Sequence, residues 1–209
     1  MSYCAPRLQS LLATTLLGLL TMSVFAPLAH AAQPSFEITP FVSYRAGGDF
    51  LGTAGDAVSL RSNTGLALAV NWRTADPANQ YELLYSRQAT DTEGSTSVPM
   101  KIEYLQLGGT TNLGEESDRV LPYAVGGLGA TRFSPGINGL SQETRWSVNL
   151  GGGVRVPVTP RVRLRFELRG YLTWLEGKSD LFCDSGCALT AKGKTFFQYE
   201  VLGGASVSF

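Results

Sequence analysis

The feature that most limits how this chain folds is a strict period-two alternation of apolar and polar residues. Between Arg161 and Trp174, Val162, Leu164, Phe166, Leu168, Gly170, Leu172 and Trp174 fall on one side, with Arg163, Arg165, Glu167, Arg169, Tyr171 and Thr173 on the other. A helix at 3.6 residues per turn mixes these two sets, whereas a strand separates them. The same separation runs through 145–156 and through 197–209. Five earlier segments, 36–45, 64–73, 80–88, 100–111 and 120–133, bring the set to eight. In 100–111 the apolar residues change face between Tyr104 and Leu105, which predicts a bulge.

The connectors alternate too. The first, third, fifth and seventh are long and rich in Gly, Ser and Asp; the second and sixth (TADPAN, PVTP) are short, and the fourth (TNLGEESDR) is intermediate. Long connectors on one rim and shorter ones on the other suit a closed, antiparallel, eight-stranded up-and-down transmembrane β-barrel, all-β, with both termini on the short-turn, periplasmic side. A soluble barrel of the lipocalin kind alternates similarly. The aromatic residues favour the membrane alternative. Tyr44, Phe133, Trp146, Trp174, Phe197 and Tyr199 are expected near the outer rim, and Phe36, Trp72, Tyr81, Tyr123 and Phe209 near the inner rim, as two girdles at lipid–water interfaces.

Eight strands leave room only for side chains inside. The expected lumen set includes Glu37, Glu82, Arg132, Arg145, Arg155, Arg163, Arg165, Glu167, Arg169 and Glu200. Charges held away from water must be paired, so these residues are read as an ion-pair network that plugs the barrel, with a conducting path as the alternative.

Composition agrees. Of 209 residues only 16% are charged, with 17 basic against 17 acidic, below the roughly 25% usual in soluble domains. No cationic excess favours nucleic acid, and the apolar content excludes disorder. Residues 1–31 read as a cleaved signal peptide: Arg7, an apolar run from Leu11 to Phe25, and Ala29-His30-Ala31. The run is too short for a transmembrane helix. Residues 32–209 are then the barrel domain, exported to the outer membrane of a Gram-negative cell. Cleavage removes Cys4 and the single His30, leaving a net charge of about −1.

The mature chain resembles the small outer-membrane β-barrel family of the opacity proteins, OmpX and the OmpA transmembrane domain. The resemblance rests on Ile38-Thr39-Pro40-Phe41-Val42-Ser43-Tyr44-Arg45, on Pro122-Tyr123-Ala124-Val125-Gly126-Gly127-Leu128-Gly129 and on Val207-Ser208-Phe209. It implies that Tyr199, Val201, Val207 and Phe209 form the signal read by the barrel assembly machinery. Outer-membrane lipid and lipopolysaccharide are the implied surroundings. Unlike full-length OmpA, the chain is not expected to carry a peptidoglycan-binding domain, so a cell-wall tether is not implied.

Cys183 and Cys187 (CDSGC) lie in the last long connector, where an oxidising compartment favours an intraloop disulfide worth roughly 2 kcal/mol. A redox or metal-binding pair is the rival reading, but without His a zinc site would need two more ligands from Asp180 or Asp184, so no metal or cofactor is expected. Without His the mature chain has no ordinary general base, and the enzymes this membrane holds on barrels resemble one another in using one. The expectation is a non-enzymatic barrel whose surface loops bind partners or whose body supports the envelope. A narrow pore or transporter for a small solute is the alternative, and a lipid-modifying enzyme comes third.

Overall fold

The computed structural model describes residues 35–52, 57–93, 97–115, 117–136, 141–175, 180–181, 189–191 and 195–209. The signal segment 1–31 and Cys183 and Cys187 lie outside the described residues. Eight long strands form the body: β1 (Phe36–Gly47), β2 (Asn63–Arg73), β3 (Asn79–Asp91), β4 (Pro99–Asn112), β5 (Leu121–Pro135), β6 (Glu143–Pro157), β7 (Val162–Trp174) and β8 (Thr195–Ser208). Each pairs antiparallel with its chain neighbour, and β1 pairs with β8 to close the barrel. At the seam Glu37 faces Ser208 and Arg45 faces Glu200. The terminal residues continue it: the Phe209 N–H donates to the Phe36 carbonyl at 2.8 Å, and the Phe36 N–H to the Phe209 carbonyl at 3.3 Å. A closed sheet leaves no edge with unpaired backbone groups.

The wall is apolar outside and polar inside. Outward positions carry Val42, Leu66, Leu68, Leu107, Leu150, Phe166, Leu168 and Val201, all exposed, while Arg165, Arg169 and Glu200 are buried. A soluble barrel orients its faces the other way, so the distribution requires an apolar solvent around the strands. Ring contacts run along the terminus-side rim, from Phe36 to Trp72 at 6.5 Å and from Trp72 to Tyr81 at 5.9 Å. Tyr44, Trp146, Trp174, Phe197 and Tyr199 are exposed towards the opposite rim.

Two expectations fail here. β4 has no bulge: its pairing to β3 and to β5 runs unbroken from Met100 to Thr111. The apparent change of face arises because β4 turns apolar and aromatic side chains inward there, with Met100, Ile102 and Tyr104 buried in the lumen. In β5 the two faces are exchanged. Tyr123 and Phe133, expected in the girdles, are 1% exposed in the lumen, and Arg132, expected inside, is exposed on the wall. The outer face of β5 is Pro122, Ala124, Gly126, Leu128 and Ala130; it is apolar as well, so hydropathy does not set the sign of the alternation.

Four short segments were also not anticipated. Asp180–Leu181, Leu189–Ala191, Asp49–Gly52 and Ala57–Ser59 form, in that order, a second small sheet that joins the first and last long connectors. They are too short for periodicity to register.

Close approach of β4 to β5 depends on glycine. A Cβ on Gly129 would stand 1.9 Å from the Leu105 carbonyl oxygen, and one on Gly108 2.0 Å from that of Gly126. Backbone cannot yield there as a side-chain tip can. Gly126, whose Cβ would meet nothing nearer than 3.6 Å, has space. We expect Gly129→Val to destabilise the barrel by roughly 2 kcal/mol or more and Gly126→Val to change it little. Urea titration in lipid vesicles, read by the mobility difference between unboiled and boiled samples, checks the pair; equal effects would contradict this reading.

Candidate functional site

The lumen is the candidate site, because inward alternation from all eight strands converges there. At the end holding the termini, Arg163 on β7 pairs with Glu37 on β1 at 3.1 Å. Arg165, two residues along, reaches Glu37 at 3.4 Å and Glu82 on β3 at 3.0 Å, and also pairs with Glu167. Arg169 closes the chain on Glu82 at 2.8 Å and on Glu167. β7 thus supplies three arginines and one glutamate at consecutive inward positions, and its alternation places them on one side of one strand. Neutral groups complete the shell. Arg165 donates to Asn71 Oδ1 at 2.8 Å and Thr39 Oγ1 at 3.2 Å, and the Tyr123 hydroxyl donates to Glu167.

Halfway along, Glu200 gathers four donors: Arg45 at 3.0 Å, Ser43 at 2.6 Å, Ser86 at 2.8 Å and the Tyr171 hydroxyl at 2.8 Å. Tyr104 stacks on Tyr171 at 4.1 Å, and the Arg45 guanidinium lies 4.7 Å above the Tyr104 ring. Beyond it an apolar cluster of Leu60, Met100, Ile102, Phe133, Leu175 and Phe196 fills the far end alongside buried Gln88, Thr90 and Gln198; Phe133 and Phe196 meet edge to face at 5.2 Å.

Arg155 stands apart. It is 1% exposed, donates to Asn112, to Thr110 at 2.9 Å and to Gln80 at 3.2 Å, and lies 4.1 Å above the Tyr123 ring. Its partners are neutral acceptors and an aromatic face, which disperse the charge without cancelling it. A cavity of about 200 Å³ opens beside it at the terminus end, lined by Arg155, Arg163 and Asp118 among others.

Of the residues expected in the lumen, the structure brings together Glu37, Glu82, Arg163, Arg165, Glu167 and Arg169 in one network, and places Glu200 and Arg155 inside but apart from it. Arg145 lies at the far rim, paired with Glu143 at 2.8 Å. Arg132 is on the outer wall. Tyr171 lies inward as its alternation on β7 predicts, whereas sequence reading missed Tyr123, Ser43, Ser86 and Asn71, because small polar and phenolic side chains carry no charge signal until the register is known. Tyr199, Val201 and Val207 point outward on β8. Among the described residues no group of three or more His, Cys, Asp or Glu is placed to hold a metal ion. The arrangement holds charges in place and fills space; the carboxylates are bound by arginines and hydroxyls.

The profile of the family described as outer membrane protein beta-barrel domain matches residues 12–185. No curated protein is similar enough to the chain to be matched. Among solved structures, Neisserial surface protein A is 17% identical with a TM-score of 0.60, over 83% of this chain and 97% of that one. OprG from Pseudomonas aeruginosa is 17% identical with a TM-score of 0.56, over 84% and 96%. The outer membrane protein AlkL, solved in DMPC bilayers, is 13% identical with a TM-score of 0.52, over 85% and 90%. At these identities the likeness concerns the fold.

Removing the hub tests the network. Arg165→Met leaves three buried glutamates with only Arg163 and Arg169 between them, one carboxylate more than the arginines can balance, and we expect it to cost roughly 3–5 kcal/mol. Arg163→Met, at the half-open mouth, should cost about 1 kcal/mol or less. Unfolding midpoints of the two variants in urea and lipid vesicles distinguish these values, and a tolerated Arg165→Met would show that the pairs are not needed for stability.

Proposed function

Because the chain belongs to the outer membrane protein β-barrel domain family, we propose that it is a non-conducting, non-enzymatic barrel that presents surface loops for interaction and supports the envelope. One observation carries this reading: the lumen is filled along its length, first by the Arg163–Glu37–Arg165–Glu82–Arg169 chain, then by Arg45 and Glu200, then by an apolar plug. A solute path would have to break several charge-assisted bonds at once and then wet an apolar constriction. The filled interior also leaves the buried carboxylates no substrate to reach.

The same proposal includes export by a signal peptide cleaved after Ala31, periplasmic termini, and recognition of Tyr199, Val201, Val207 and Phe209 by the barrel assembly machinery. It includes a disulfide between Cys183 and Cys187 in the last surface connector. The placement of Phe36 and Phe209 at one rim, with the longest connectors at the other, supports this orientation.

Purified folded protein in planar bilayers should show no steady conductance. A stable, ohmic current would overturn the plugged-barrel reading in favour of a narrow pore. Alkylation of the exported protein under non-reducing conditions should leave Cys183 and Cys187 unmodified until a reductant is added; modification without reductant would remove the disulfide.

A further inference from the structure

The outer wall carries its charge in one sector. Among the described residues, the outward positions of β1, β2, β6, β7 and β8 are uncharged, whereas β3, β4 and β5 present Arg87, Lys101, Glu103 and Arg132, with Asp91 at the end of β3. Arg87, Glu103 and Arg132 are consecutive register partners across the three strands. Lys101 lies one outward position further along β4 and reaches Glu103 at 3.5 Å. Glu103 also accepts the Tyr85 hydroxyl at 2.6 Å. Arg132 donates to Gln142, a neutral group, and Arg87 makes no ion pair among the described residues. Three cations therefore surround one carboxylate that is already engaged.

The depth of this cluster follows from its neighbours. Arg132 lies two residues beyond Ala130, the register partner of Trp146, and Trp146 is 74% exposed on the wall. An exposed indole on a lipid-facing wall marks the interface between hydrocarbon and headgroups. On the side towards the termini the same three strands present Leu83, Leu105, Leu107 and Leu128, all exposed. The cations thus stand at the upper edge of an apolar shelf, where a lipid-face cation costs little and lipid phosphates lie. Arg87 and Arg132 are two strands apart, roughly 10 Å. One phosphate spans that poorly; a headgroup carrying two phosphates above several acyl chains matches both the spacing and the shelf.

We propose that Arg87, Lys101 and Arg132 form a binding site for the phosphates of a diphosphorylated glycolipid of the outer leaflet, of the lipid A type, whose acyl chains lie along Leu105, Leu107 and Leu128. Guanidinium forks on Arg87 and Arg132 bind phosphate oxygens bidentately, and Lys101 adds a point charge. The assignment rests on the orientation proposed above, since this rim faces the outer leaflet only when the termini are periplasmic.

The test uses the folded protein in phosphatidylcholine nanodiscs doped with lipid A, with retained lipid counted by native mass spectrometry. Wild type should retain lipid A, and each of Arg87→Gln, Lys101→Gln and Arg132→Gln should lower its affinity roughly fivefold. Dephosphorylated lipid A should bind no better than phosphatidylcholine. Unboiled gel mobility confirms that each variant is folded. Wild-type retention by the triple variant, or equal retention of dephosphorylated lipid A, would overturn the site. An epitope inserted beside Ser97 and detected by antibody on intact cells reports orientation separately. Its absence from the cell surface would remove the outer-leaflet source, whereas surface detection without lipid A binding would remove the phosphate site alone.

Discussion

Everything in this structure depends on backbone hydrogen bonding in a solvent that offers none. A strand inside a bilayer must pair on both sides, and the only arrangement of strands without unpaired edges is a closed one. The pairing of β1 with β8 is therefore as necessary as any turn, although its partners are separated by most of the chain. Phe36 and Phe209 bond to each other at the very ends of the two strands, so the seam is sealed to its last residues.

Closure at eight strands fixes a narrow interior, and the interior explains the charge pattern. With lipid outside, the polar half of each alternating strand has nowhere to go but inward, where water is scarce. Arg165 solves this locally by touching three glutamates and several neutral acceptors at once. Such a cluster gives little net stability over an apolar filling, yet it is costly to break piecemeal. It therefore holds the strands in one register more than it holds them together. Arg155 shows the limit of the scheme, since its charge is met by Tyr123 and amide and hydroxyl oxygens instead of a carboxylate.

Most of the architecture was legible in the residue order because lipid and lumen demand opposite chemistry from neighbouring residues. β7 is the clearest instance: Arg163, Arg165, Glu167 and Arg169 alternate with Leu164, Phe166 and Leu168, and both faces point as their polarity requires. The reading failed where polarity stopped distinguishing the faces. β5 is apolar on both sides, so Tyr123, Phe133 and Arg132 were assigned to the wrong ones, and in β4 an apolar stretch of the lumen imitated a bulge. The network's neutral members share a different difficulty. Tyr171, Ser86 and Ser43 meet Glu200 from three strands, a convergence set by barrel curvature and register and invisible in any one segment.

The small sheet formed by the first and last long connectors bears on how the exposed end of the molecule can vary. Leu189–Ala191 pairs with Asp49–Gly52, joining parts of the chain that are far apart in sequence. Strand pairing tolerates no partial slip: a shift by one residue turns every side chain to the opposite face. Insertions within either paired segment must then be matched by compensating changes in the other. The connector between β3 and β4 is tied to the same sheet, since Leu60 bridges Thr92 and the Glu93 N–H donates to the Ser59 carbonyl at 2.7 Å, whereas the described residues of the connector between β5 and β6 lie outside it. Over generations the exposed surface should drift as one independent loop and a co-inherited set of three.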